Sequence, residues 1–180
     1  MKATGIVRRV DSLGRVVIPK EIRHTLRIRE GSPLEIYTDK EGGVTFRKYS
    51  PLGDLQEFAG QVCDAIRSGS GCMAAICDLD TVVAVAGVPR RELVDKPYSR
   101  ELEAQLEQRR SYFYTSGEPE IPVSEFTDRY RVGVLEPIVS QGDLIGCVLV
   151  LLTAESPQPQ ECHRMLLHTI ADFLGRQMEG

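Results

Sequence analysis

The sequence predicts an α+β chain in two modules: a small β-rich module over residues 1–50, then an antiparallel sheet flanked by helices over residues 51–180. Charge is the first observation behind this. Residues 1–50 hold 11 Lys/Arg against 6 Asp/Glu, whereas residues 51–180 hold 11 against 20. Such asymmetry suggests a basic binding module joined to an acidic one. The second observation is periodicity, because apolar residues alternate in pairs of short runs and recur at helical spacing between them. The third is residues 11–29, DSLGRVVIPKEIRHTLRIR, which fit a turn, an apolar run, a proline and a basic helix into one short stretch.

Residues 4–10, TGIVRRV, read as a strand with Ile6 and Val10 on one face. Gly14 suits a turn needing positive φ, and Val16, Val17 and Ile18 are β-favouring. Pro19 fits the first position of a helix, where its missing N–H costs nothing. The helix KEIRHTLR that follows has Ile22 and Leu26 on one side and Lys20, Arg23, His24 and Arg27 on the other. Turn residues 30–33 lead to a strand with Leu34 and Ile36. A hairpin turn at 40–43 leads to a returning strand with Val44 and Phe46. Fifty residues cannot easily bury enough apolar surface alone, and no disulfide or metal pattern is present. A dimer that interleaves its hairpins is therefore expected, and it duplicates the basic face about a two-fold axis.

The runs TGIVRRVD, LGRVVIP and LEIY closely resemble the AbrB-type transition-state regulators. The resemblance implies a swapped-hairpin dimer that binds double-stranded DNA. It implies DNA contacts from Arg8, Arg15 and Arg23, and a further basic residue at position 24, where this chain has His24. A histidine is only partly charged near neutral pH. Charge reading adds Lys2, Arg9 and Arg27 to the candidate DNA-binding residues. Guanidinium groups grip phosphate with a planar fork, so affinity should fall steeply with salt. Shape and deformability of the duplex are expected to carry much of the specificity.

The second module opens with a predicted helix over about 51–67 that joins the two, its break marked by Ser68, Gly69, Ser70 and Gly71. CMAAICD and TVVAVAGV read as a buried antiparallel hairpin ended by Pro89. Residues 99–110 read as a helix with Leu102 and Leu106 on one face, and 111–128 as strand or loop. YRVGVLEPIV and LIGCVLVLL form a second hairpin, with Pro137 suggesting an edge or a bulge. Ser156 and Pro157 are expected to start a last helix with an apolar stripe of Cys162, Leu166, Ile170, Phe173 and Leu174.

That order, and the run PIVSQGDLIGCVLVL with its Ile-Gly step, resembles a GAF domain, a GAF-like α/β sandwich on an antiparallel sheet. The chain as a whole resembles the two-module sporulation regulators of endospore-forming bacteria. The resemblance implies a regulator of forespore gene expression, activating or repressing by promoter. It also implies a homo-oligomer, a tetramer of two swapped-hairpin dimers whose terminal helices pack together. GAF domains often hold small ligands, and Tyr98 and residues 112–114 are the candidates here. The alternative is that these aromatics fill the core.

No cofactor, metal or catalytic set is expected. No cyclic-nucleotide fingerprint, glycine-rich phosphate loop or nucleophile motif occurs, and His163 and His168 lie five apart, not on one face. The five cysteines lack any C-x-x-C and read as reduced packing residues; a redox or metal role is the alternative. With no signal-peptide core and no membrane-length apolar run, a cytoplasmic protein is expected, in the forespore by resemblance. Two other classes compete: an antitoxin-like DNA-binding module that also binds a toxin, and a ligand-processing enzyme built on the second module. A folded second module in place of a short tail disfavours the first, and the missing acid, base and nucleophile set disfavours the second.

Overall fold

Residues 144–152 read LIGCVLVLL, a strand apolar on both faces, which must be covered on both. The computed structural model, which describes residues 5–26, 28, 30–31, 33–50, 52 and 56–178, covers it in that way. The chain divides into two units, Met1–Tyr49 and Ser50–Gly180.

In the second unit, strands β3 (Met73–Cys77), β4 (Val82–Ala86), β5 (Tyr112–Phe113), β7 (Thr127–Ser140) and β8 (Asp143–Leu152) form an antiparallel sheet ordered β4-β3-β8-β7-β5. Strand β6 (Pro122–Ser124) also pairs with β7. Ala74, Ile76, Val148 and Val150 face helices α2 (Gln56–Ser70) and α5 (Glu161–Gln177). Ala75, Cys77, Cys147 and Leu149 face the other way, toward α3 (Arg90–Leu93), α4 (Arg100–Glu107) and the loops around them. Period-two alternation thus feeds two cores with β8 between them.

Three local expectations are corrected in this unit. Helix α2 runs through Ser70 and ends at Gly71, with φ +74°, because the Ser68 and Ser70 hydroxyls bond back to the carbonyls of Asp64 and Ile66. The last helix starts at Glu161, not at Ser156: Ser156 Oγ accepts from the Thr153 N–H (2.9 Å), so it closes a turn, and Gln160 with His163 forms the capping box. The buried stripe of α5 is Leu167, Ala171 and Leu174. Of the expected stripe, Cys162 and Phe173 are exposed and Leu166 and Ile170 half-buried. The helix thus carries a second apolar face beside Phe58, whose ring lies 6.4 Å from that of Phe173. Strands β5 and β6 fall within residues 111–128, expected as strand or loop, and the short helix α3 follows Pro89, where no element is expected. Pro137 pairs with Cys147 beside a bulge at Ile138/Val139, beyond the end of β5.

The first unit holds a turn at 11–15, helix α1 (Lys20–Thr25) and the hairpin of β1 (Leu34–Thr38) with β2 (Val44–Lys48), paired Ile36 to Phe46. Pro19 is the N-cap of α1, its carbonyl accepting from the Arg23 N–H (2.9 Å), so the helix begins one residue later than expected. Residues 5–10 and 16–18 form no strand, contrary to the sequence expectation. β-Propensity favours an extended chain, but a strand exists only where a neighbouring backbone completes its ladder. The start of the joining helix, residues 51 and 53–55, lies outside the described residues. The Ser50 hydroxyl donates to Asp78 Oδ2 (2.8 Å).

Two glycines mark where packing is tightest. A Cβ on Gly146, the glycine of the Ile-Gly step, would lie 2.1 Å from the Cys77 carbonyl oxygen, and one on Gly175 would lie 2.1 Å from that of Val139. Both obstacles are backbone and cannot swing aside. Gly146→Ala and Gly175→Ala should each destabilise the full chain by about 1–3 kcal/mol in urea denaturation; unchanged midpoints would show that neither approach is needed.

Candidate nucleic-acid interface

The first unit carries the described basic candidates on three local structures. Arg8 and Arg9 lie in the exposed segment before the turn, and Arg8 Nη1 donates to its neighbour's carbonyl, Val7 O (3.3 Å). Arg15 closes the turn. Arg23 and His24 lie in the last turn of α1, Arg23 half-buried and His24 exposed. The Ile28 N–H donates to the Arg23 carbonyl (2.7 Å), which ties the chain after the helix back to it. Lys2 and Arg27 lie outside the described residues.

The turn at 11–15 is built by one carboxylate. Asp11 Oδ1 accepts from the N–H groups of Leu13 (2.9 Å) and Arg15 (2.8 Å), and Oδ2 accepts from Arg15 Nε (2.8 Å). The Asp11 N–H donates to the Arg15 carbonyl (3.1 Å) and the Gly14 N–H to the Asp11 carbonyl (3.0 Å), with Gly14 at φ +76°. The backbone N–H of Arg15, then its side chain, hold the Asp11 carboxyl below the usual carboxylate value. Because the folded value is depressed, the stabilisation is present at neutral pH. It is lost as pH falls through that folded value.

The same device recurs at the hairpin. Asp39 Oδ1 accepts from Glu41 N–H (3.0 Å) and Gly43 N–H (2.7 Å), and the Asp39 N–H donates to the Gly43 carbonyl (3.1 Å), with Gly42 at φ +84°. Asp-x-x-Gly-x is therefore a shared turn lock, with Arg15 in the last place at one site and Gly43 at the other. Sequence reasoning gave Asp11 no part in the site, although this repeated spacing was the available signal.

Apolar side chains of this unit face water. Val7 is 85% exposed, Val17 72%, Ile36 60% and Phe46 42%. Arg47 stacks its guanidinium 4.9 Å over the Tyr37 ring.

In the second unit the aromatic ligand candidates are mostly core. Tyr98 is buried and its hydroxyl donates to the Leu79 carbonyl; Tyr114 is buried, and Tyr112 and Phe113 are half-buried against the two cores. A surface pocket of about 290 Å³ lies instead beside Arg129, Arg131 and Glu155. Arg131 there pairs with Glu120, and this hydrogen bond holds the Glu120 carboxyl below its usual value. Glu136 is buried on β7, accepts from Ser111 Oγ (2.7 Å) and lies 3.8 Å from His168 Nδ1. His163 Nδ1 accepts from the Gln160 N–H (3.0 Å), and its Nε2 lies 3.5 Å from Cys72 Sγ. Among the described residues no three His, Cys, Asp or Glu side chains are grouped to hold a metal ion, and no helix is long and apolar enough to cross a membrane.

Comparison with known proteins divides the chain in a similar place. The family described as stage V sporulation protein T C-terminal, transcription factor, matches residues 54–179. The family described as antidote-toxin recognition MazE, bacterial antitoxin, matches residues 7–54. The chain is 43% identical over 179 residues to stage V sporulation protein T of Bacillus subtilis (strain 168), covering 99% of each. It is 55% identical over 64 residues to the transition state regulatory protein AbrB of Bacillus subtilis (strain 168), covering 36% of this chain and 65% of that protein. The second unit shares its fold with a GAF domain/HD domain protein from Geobacter sulfurreducens, at 16% identity and TM-score 0.52, covering 69% of this chain and 91% of that one.

The thiols give a check on the second unit. Cys63, Cys77 and Cys147 are buried, Cys72 is half-buried and Cys162 is exposed. Burial pushes the Cys63 thiol up to about 12, and Cys77 is raised by the hydrogen-bonded thiol of Cys147 and by burial. Iodoacetamide labelling of the native protein followed by mass spectrometry should modify Cys162 and Cys72 and spare the other three. Native labelling of Cys63 would contradict its place in the core.

Proposed function

Because the chain belongs to the family of stage V sporulation protein T transcription factors, we propose that it is a DNA-binding regulator of forespore gene expression, acting in the cytoplasm of that compartment. Its basic first unit grips double-stranded DNA through Arg8, Arg15 and Arg23, with Arg9, His24, Lys2 and Arg27 adding charge. The observation that carries this reading is the charge split: a basic unit with exposed arginines before and in a turn and a half-buried one on a short helix, joined to a unit of net acidic charge. An arginine fork on phosphate positions the protein on the duplex, and base identity enters through contacts and duplex shape beyond it. Whether a promoter is activated or repressed then depends on where the bound site lies.

The exposed apolar side chains of the first unit support a swapped-hairpin dimer. Segments 5–10 and 16–18 have the composition of strands, and a second copy offers the backbone that would complete their ladders. The second apolar face of α5, with Met165 and Phe173 exposed, supports pairing of GAF-like units into a tetramer. The antitoxin reading rests on the match over residues 7–54 alone, and the folded unit matched over 54–179 favours the transcription factor. The aromatics expected to hold a small ligand are mostly core, so assembly is the role proposed for the second unit.

Three experiments test it. Full-length protein and a fluorescein-labelled mixed-sequence duplex should associate with an affinity that falls about 10³- to 10⁵-fold between roughly 50 and 200 mM salt, if about 6–10 phosphates are contacted. Arg15→Ala and Arg23→Ala should each weaken binding about tenfold or more while leaving the circular dichroism spectrum unchanged. Folded variants with wild-type affinity would remove these residues from the site. Light scattering should give a tetramer mass, and Phe173→Glu should reduce it to the dimer; a monomer for the wild type would overturn both interfaces.

A further inference from the structure

We propose that Asp11 is a positioning residue for DNA binding: it holds the Arg15 guanidinium by its Nε edge, leaving both Nη groups directed at a backbone phosphate of the duplex. This rests on the DNA-binding reading above and adds to it an acidic residue that no charge argument would select.

The geometry sets Asp11 apart from an ordinary surface acid. One carboxylate oxygen is used up by the turn, accepting from the N–H groups of Leu13 and Arg15. The other meets Arg15 Nε at 2.8 Å. The arginine is therefore held at two points by the same group, through its own backbone and through its side chain. A guanidinium has five N–H donors in a fixed plane, and a contact at Nε takes one of them. The four on Nη1 and Nη2 are enough for a bidentate phosphate contact.

Asp39 provides the comparison. It builds the same turn, with the same two backbone acceptances and the same closing hydrogen bond to Gly43, but Gly43 has no side chain to aim. The turn therefore needs only the first oxygen, and the second at Asp11 is free for a different use. Arg15 is otherwise open, with its side chain 70% exposed. A long exposed side chain samples many rotamers, and fixing it before DNA arrives removes part of the ordering cost of binding. Asp11 stays ionised throughout the neutral range, since its partners hold the acid below its usual value.

The inference makes a prediction opposite in sign to simple electrostatics. Removing a negative charge beside a DNA-binding arginine should tighten binding if Asp11 is only a countercharge that phosphate displaces. If Asp11 positions Arg15, the same change weakens it. The experiment uses the full chain and the labelled mixed-sequence duplex at one salt concentration, with thermal melts run on every variant. Asp11→Asn keeps the amide oxygen for the turn and loses the ion pair, and it should raise Kd about 3- to 30-fold across a two-fold dimer. In an Arg15→Ala background it should have no further effect. Asp39→Asn, an equal change of charge in the matching turn, should leave Kd within about twofold of wild type or lower it. Arg15→Lys leaves Asp11 and the turn intact but removes both the Nε handle and the Nη fork, so it should lose at least as much as Asp11→Asn.

Wild-type binding with Asp11→Asn equal or tighter overturns the positioning role. So does an equal Asp11→Asn loss with and without Arg15, which would place its effect in the fold. Arg15→Lys at wild-type affinity overturns it too. Absence of wild-type binding at any salt concentration strikes the DNA-binding reading itself, a result distinct from these.

Discussion

An apolar side chain left in water forgoes about 25 cal/mol for each Å² it could have buried. That cost weighs on nearly every apolar residue of the first unit. Ile6, Val10, Val16, Ile36 and Phe46 all remain exposed there, whereas the second unit buries its strands on both faces. The contrast explains the chain's economy of design. The second unit closes on itself through a sheet with helices on both sides. The first is an assembly of turns, one short helix and one hairpin whose greasy surfaces ask for another copy. The proposed dimer follows from this imbalance, and so does the proposed placement of paired arginines about a two-fold axis.

The turns give the first unit the order that its packing does not. Asp11 and Asp39 each gather backbone N–H groups that would otherwise need water, and each is followed by a glycine that takes the positive φ the turn requires. These contacts are local and solvent-exposed, so each adds little stability, but they fix direction. Direction matters for an arginine proposed to meet a phosphate. In the second unit the corresponding constraint is steric. Gly146 and Gly175 allow a strand and a helix to approach neighbouring carbonyl oxygens that any larger residue would strike.

Much of the fold was legible in the sequence where one physical signal acted alone. The hairpin β1–β2 follows from alternation between turn residues, β3–β4 and β7–β8 from apolar runs bounded by turn residues, and α4 from Leu102 and Leu106 on one face, with the Ser99 hydroxyl accepting from the Leu102 N–H as its cap. Errors arose where a residue had two possible partners. Ser156 has the pattern of a helix cap but bonds Thr153, and the serines after Arg67 have the pattern of a break but bond back along the helix. On α5 the sequence reads as one stripe of Cys162, Leu166, Ile170, Phe173 and Leu174, whereas Leu167, Ala171 and Leu174 are the residues that meet the sheet. The basic residues of the candidate site were legible as charge, but the acid that orients one of them was not, because a charge count treats Asp11 as a subtraction.

By itself the sequence determined the elements that depend on neighbours in the chain: helical spacing, strand alternation, turn residues and the division of charge. It also carried the family, through the runs TGIVRRVD, LGRVVIP and LEIY and through the Ile-Gly step. Only the tertiary structure decided what depends on residues far apart. It chose the buried face of α5, placed Tyr98 in the core with its hydroxyl on Leu79, and set Gly146 against the Cys77 carbonyl. It also decided that residues 5–10 and 16–18 form no strand within one chain. The physical reason is common to all of these: propensity and pattern act through the backbone's own neighbours, whereas burial, close approach and ladder completion require a partner that the local sequence does not name.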